Sequence, residues 1–254
     1  ILYSTYSTSW HVNSTDYRYV VDNNLKIEFA KTDLSCKIKN DSINIFYTQG
    51  VFYPITKEWN GTNGLVTWER AGYSIDSVKA QLNNYRIDMS KSGYSADSVY
   101  FTNKLYFDEQ MLGRFSDQVV HIMSPDKDIY PEFISYQNRF HIKDIYEDND
   151  YDGGLNMKGS NLLGFGDRKQ EAVLIINKND TSILTAKAKT FMFKKDRAVS
   201  NNAEININLK NDSIYHPGIL FSYLNDKREI TLSPSERIVS KSPYFDSYHN
   251  ITMN

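Results

Sequence analysis

Residues Ala203–Lys210 read AEININLK. Ala203, Ile205, Ile207 and Leu209 alternate without a fault with Glu204, Asn206, Asn208 and Lys210. Successive side chains of an extended strand point to opposite faces, so a strict period of two puts one face in a core and the other in water. Working outward, the run ends in KNDSI at Lys210–Ile214. The same five residues stand at Lys39–Ile43, again behind an alternating run. Asn, Asp and Ser side chains bond their own backbone in turns, so both copies read as strand ends folding back. They lie too far apart to define a short repeat, and no matching period joins them. The expectation is turn chemistry produced twice.

The composition agrees with strands. Nineteen Tyr, thirteen Phe and three Trp in 254 residues suit half-buried pleated surfaces. Further turn signals fall at 177–180, 200–202 and 225–227, at roughly the spacing of a sandwich or a solenoid. Asn60-Gly61 and Asn63-Gly64 supply tight-turn residues between Trp59 and Trp68, which predicts a hairpin there. The predicted fold is therefore all-β, mainly antiparallel, with sandwich-like or solenoid-like sheets. One short helix is predicted over 74–82, where Ser74 can cap, Asp76 sits in the first turn, and Val78 and Leu82 fall four apart. Gly113, Pro125 and polar clusters between Gln110 and Lys127 suggest a seam, giving parts 1–115 and 116–254.

Charge excludes some partners. Twenty-nine Lys and Arg against thirty-one Asp and Glu are scattered along the chain, with no basic face for nucleic acid. Cys36 is alone in an alternating run and reads as a core residue. No apolar run reaches the roughly 20 residues of a membrane helix. The chain opens on Ile1 instead of Met, as expected of a processed protein or a piece of a longer one.

Several residues invite a chemical reading. His11, His121, His141, His216 and His249 have no neighbours at ligand spacing, so metal catalysis has little support. LGFGDRK lacks the third glycine and the helix of a dinucleotide site, and its glycines read as a strand bend. Tyr53, Trp59, Trp68 and Tyr73 can be read as a stacking platform for sugar rings, with burial in a core the preferred alternative. Asp148, Asp150 and Asp152, followed by Gly153 and with Leu155 at the eighth position, match the start of a calcium loop. Its twelfth position is Gly159 instead of the bidentate Glu, so calcium is at most an accessory and no other cofactor is expected.

The segments WERAGYSIDSVKAQLNNYRIDM, ADSVYFTNKLYF, YPEFISY, DNDYDGGLNMKGSNLLGFG, DSIYHPGILFSY and SPYFDSYH, in that order, resemble parts of large envelope proteins of Bacteroidetes. The resemblance implies an exported piece of a longer polypeptide, in the periplasm, outer membrane or cell surface, whose partners are other domains of that chain or other envelope proteins. It also implies a use for Asp-Ser-aliphatic triplets, which that group O-glycosylates on exported proteins. Ser42, Ser98 and Ser213 are the candidate acceptors, with Ser77 less favoured because the predicted helix takes it up. The function expected is a non-enzymatic structural or interaction module. The alternatives are a carbohydrate-binding or carbohydrate-processing domain, or a solenoid conduit for lipid or glycolipid.

Overall fold

The computed structural model describes residues 1–22, 24–120, 129–234, 244–246 and 251–253. Its strands are numbered β1 (Tyr3–Ser4), β2 (Ser9–Val12), β3 (Tyr17–Val21), β4 (Leu25–Lys37), β5 (Ser42–Tyr53), β6 (Glu58–Thr62), β7 (Leu65–Thr67), β8 (Val78–Gln81), β9 (Asn84–Asp88), β10 (Gly93–Asn103), β11 (Met111–Gln118) and β12 (Glu132–Ser135). They continue as β13 (Phe140–Tyr146), β14 (Asn149–Lys158), β15 (Asn161–Phe165), β16 (Ala172–Lys178), β17 (Thr181–Ala188), β18 (Thr190–Lys194), β19 (Arg197–Leu209), β20 (Asp212–Leu224), β21 (Glu229–Ser233), β22 (Tyr244–Asp246) and β23 (Ile251–Met253). The fold is all-β. Among the described residues the strand pairings are antiparallel, without the parallel rungs that a solenoid stacks. Among the described residues, the one helical element is the 3-10 turn Glu69–Ala71.

Two compact units form. The first comprises Ile1–Tyr136 with Met157–Ser160, and the second Gln137–Asn156 with Asn161–Asn254. In the first unit, β4 pairs along one edge with β5, and along the other with β3 at its start and β2 at its end. In the second, β19 pairs with β20 on one edge, and with β18 and then β17 on the other. The agreement extends to the register. Phe29↔Gly50, Thr32↔Thr48 and Leu34↔Ile45 recur as Ser200↔Phe221, Ala203↔Ile219 and Ile205↔His216. Every residue in the second set is displaced by the interval that separates Lys39 from Lys210.

Each hairpin carries one extra residue first in one strand and then in the other, so two bulges cancel and the register is restored. The next turns correspond too. Tyr53↔Glu58 matches Leu224↔Glu229, and Lys57 and Arg228, with φ of 60° and 51°, hold the same position. The two KNDSI copies therefore mark equivalent hairpin tips of a repeated architecture. This corrects the expectation of coincidence: the repeat lies in strand order and register, which sequence between the copies does not display.

The predicted helix over 74–82 is absent. A turn at 75–77 leads into β8, and Val78 and Ala80 within it and Leu82 just after it are all fully buried. A spacing of four is an even number, so it satisfies the strand period as well as the helical one, and burial of Ala80 between them decides for the strand. The stretch Gln110–Lys127, read as a seam, contributes β11, which pairs with β10 on one side and β12 on the other, while 121–127 lie outside the described residues. Contacts divide the chain after Tyr136 instead.

Aromatic rings fill both cores. Trp10, Trp59 and Trp68 are wholly buried, and Trp68 meets Phe101 and Phe115 edge-on at centroid distances of 5.0 and 5.6 Å. In the second unit Tyr151 lies edge-on to Phe193 at 5.0 Å. In the first, the rings of Trp59 and Tyr85 lie across Gly50 and Gly61, where any side chain would overlap them. The Tyr85 hydroxyl receives the Trp59 Nε1 proton at 3.2 Å and is 2.7 Å from Thr48 Oγ1, so the ring has little freedom to withdraw. Gly61→Ala is accordingly expected to cost about 1–3 kcal/mol, the usual penalty for overpacking. A urea titration read by near-ultraviolet dichroism measures it, and an unchanged midpoint would contradict the packing.

Candidate functional site

The first KNDSI turn places Asp41 beside two residues from distant parts of the chain. Arg70 comes from the 3-10 turn and Asp117 from the end of β11. Arg70 Nη2 bonds Asp41 Oδ2 at 2.7 Å and Nη1 bonds Asp117 Oδ1 at 2.5 Å, with all three side chains largely buried. Nη2 also donates to the Gln118 carbonyl at 3.1 Å. Asp41 accepts the backbone N–H groups of Ser42 and Val120, each at 2.8 Å, and Asp117 accepts that of Gln118 at 2.8 Å. Both carboxylates and both terminal guanidinium nitrogens are thus hydrogen-bonded, while the buried Arg70 Nε has no partner among the described residues.

One guanidinium shared by two carboxylates leaves a surplus negative charge. Burial, aided by the charge of Asp41, pushes the Asp117 carboxyl up to about 7, although Arg70 and the Gln118 N–H favour its ionised form. The fully buried Cys36 thiol is pushed up to about 12 by burial and then by Asp117 and Asp41.

Asp117 borders a cleft of about 600 Å³ whose walls include Thr5, Thr8, Ser92, Tyr94 and Gln118. Tyr94 stands directly opposite Asp117 across β10 and β11, and its buried hydroxyl has no hydrogen-bond partner among the described residues. Asp117 is the one carboxylate among the described residues lining this cleft. The cleft presents a rim of hydroxyls and the Gln118 amide, while the Tyr94 hydroxyl and the Asp117 carboxyl lie buried behind it. It suits hydrogen bonding to a polyhydroxylated ligand better than two-carboxylate hydrolysis.

A larger, shallower groove of about 920 Å³ crosses the outer face of β3, β4, β5, β6 and β9. Arg18, Glu28, Val51, Asn60 and Arg86 form one cross-strand row along it, and Gly50 and Gly61 lie in the next row, whose side chains turn inward. Arg18 pairs with Glu28 at 2.5 Å, and Arg86 pairs with Glu58. These contacts hold the rim charges against one another.

The residues singled out from sequence fall elsewhere. Trp59 and Trp68 have no exposed surface, so neither ring can stack on a sugar, and the platform with Tyr53 and Tyr73 does not form. Tyr53 is half-buried at the end of β5, and Tyr73 donates its hydroxyl to the Ser160 carbonyl at 2.7 Å. The aspartates form no calcium loop. Asp150 and Asp152 lie within β14, and Asp148 occupies the left-handed position of the preceding tight turn at φ 61°.

Each aspartate has its own partners. Asp148 faces Arg228 at 3.2 Å, Asp150 accepts from the Asp144 backbone and from Asn177 Nδ2, and Asp152 pairs with Arg139 at 2.7 Å. Among the described residues no three His, Cys, Asp or Glu side chains gather as a metal would require. Of the serines, Ser98 is exposed, whereas Ser42 and Ser213 are half-buried and each donates its backbone N–H to the carboxylate of the preceding aspartate. His216 is buried in β20 at the position of Ile45, with its Nδ1 accepting the Gly218 N–H at 3.1 Å, while His121 and His249 lie outside the described residues.

Sequence reasoning missed Asp41, Arg70, Tyr94 and Asp117, because 29 to 76 residues separate Asp41 from the other two members of the ion cluster and nothing local marks them. No family model, no curated protein and no solved structure matches this chain.

A carboxyl whose folded pKa exceeds its unfolded value near 3.9 keeps, in the folded chain, a proton the unfolded chain has released. Its contribution to stability is full below about pH 4 and is lost as pH rises toward 7. The stability of the native chain relative to Asp117→Asn should therefore decline over that window by on the order of 2–4 kcal/mol. Urea titrations of both proteins at pH 4.5 and 7.5 measure the decline, and a rise would reverse the assignment.

Proposed function

We propose that this chain is a non-enzymatic structural and interaction module of a larger bacterial cell-envelope protein. The observation that carries the reading is the duplicated hairpin architecture, with the same strand order, the same compensating bulges and the same following turn in both units. Repetition of a whole sheet register serves presentation of surface, since a single catalytic centre gains nothing from a second scaffold. The engagement of Arg70 with both carboxylates, and of the Trp rings with the core, is consistent with residues used for structure. The resemblance to Bacteroidetes envelope proteins supplies the setting.

The test is fractionation of native cells followed by intact-mass measurement. The protein is expected in the envelope fraction. Because Asp97 and Ser98 of the Asp-Ser-Val triplet are exposed, the mass of the native protein is expected to exceed the sequence mass by one glycan that Ser98→Ala removes. Recovery from the cytosol would overturn the localisation, and an unmodified native mass would end the glycosylation reading.

Carbohydrate binding is the second reading, and the cleft rimmed by Thr5, Ser92 and Gln118 favours it. On this reading a glycan array gives saturable binding that Gln118→Ala weakens about fivefold to tenfold, the effect of one hydrogen bond. Binding unchanged in Gln118→Ala, or absent altogether, would remove this reading.

A further inference from the structure

In the first unit the outer edge of β6 is occupied. β9 pairs with it in the register Glu58↔Asp88, Trp59↔Ile87, Asn60↔Arg86, Gly61↔Tyr85 and Thr62↔Asn84. The Met89 N–H bonds the Lys57 carbonyl and the Asn63 N–H bonds the Asn83 carbonyl, both at 2.9 Å. Those two bonds bracket the ladder, so Trp59 and Gly61 between them also direct their backbone groups toward β9.

β21 is the counterpart of β6 in the second unit, by register against its hairpin partner and by the left-handed residue before it. Ile230 and Leu232 hold the positions of Trp59 and Gly61, so their N–H and C=O groups point to the outer edge. Among the described residues β21 pairs with β20 and with no other strand. Ile230 and Leu232 are only half-buried, whereas Trp59 is wholly covered. Glu229 holds the position of Glu58, whose carboxylate takes Arg86. Among the described residues no ion pair involves Glu229. Among the described residues, an unpaired ladder edge, two incompletely covered apolar side chains and a carboxylate without an ion pair thus coincide on one short strand. The equivalent strand has all three satisfied by a single partner.

We infer that the outer edge of β21 receives an extended peptide segment, paired antiparallel, in which a basic residue stands between two apolar ones. This rests on the interaction-module reading and names the partner's chemistry. By the register of β9, the basic residue lies opposite Thr231 within reach of Glu229, and an aliphatic residue lies opposite Ile230. The residue opposite Leu232 is smaller than Tyr85, because Leu232 fills the space that Gly61 leaves for a ring. Main-chain bonds supply affinity and the alternate side chains supply selectivity, as in other strand additions.

The probe is a fluorescent peptide of residues 83–89 carrying the Tyr85→Val change, titrated into the full chain and read by anisotropy. Saturable binding is expected. Ile230→Pro should abolish it, since proline removes an outward N–H yet is tolerated at a sheet edge. Glu229→Lys should weaken it about twofold to fivefold, the scale of one exposed charge pair. Thermal melts of both variants should match the native chain. Absence of binding, or binding that both variants retain, overturns the inference. Loss in Glu58→Lys but not in Glu229→Lys would place the peptide on β6 and also overturn it. A concentration-dependent dimer abolished by Ile230→Pro would make a second copy the occupant, against the inference. Each of these failures leaves the envelope fractionation unaffected.

Discussion

A thirteen-residue strand has to serve two neighbours on one edge, and the paired bulges are how it does so. β4 and β19 each run about 40 Å, more than one small core can cover. The extra residue in the first strand moves its inward face from Phe29 to Thr32, Leu34 and Cys36, changing the parity of the buried positions. The extra residue in the second strand makes the same change from Phe52 and Thr48 to Ile45 and Ile43. Both faces stay matched, and the two halves of each strand are re-aimed toward different partners. Loss of either bulge would turn half of the apolar set of its strand outward, which is why the register is held so closely in both units.

Around that constraint the remaining interactions fall into place. The tip of the first hairpin delivers Asp41 to Arg70, and Arg70 binds it to the end of β11, so a turn, a 3-10 segment and a strand are fixed by one planar cation. The second tip, with the same five residues, shares with the first the local bond from the Ser213 N–H to Asp212. In the first unit the glycines of β5 and β6 let the rings of Trp59 and Tyr85 approach the backbone closely, which trades side-chain packing for close approach.

Much of this was legible where burial and sequence period coincide. AEININLK announces its strand because it lies wholly on one side of a bulge. FAKTDLSC does not, because its inward positions shift parity in the middle. The short helix was misread for a related reason, since Val78 and Leu82 satisfy both periods and the small side chain of Ala80 carries little signal. Trp59 and Trp68 looked available because aromatic residues suit both cores and platforms, and only packing distinguishes the two. The aspartates of β14 share a short segment, yet each is compensated by a cation or amide remote in sequence. For the same reason the Asp41, Arg70 and Asp117 cluster could not be anticipated. Electrostatic partners are set by the closure of sheets, and local composition says nothing about them.

Cys36 has a practical side. It is the only thiol in the chain, it has no exposed surface, and it remains protonated at any pH used with alkylating reagents. The natural sequence is therefore chemically silent toward maleimides while folded. A cysteine introduced at a hairpin tip or on the rim of the outer groove would be the sole point of attachment for a spin label, fluorophore or crosslinker, without first removing the native one and disturbing the strand that carries it.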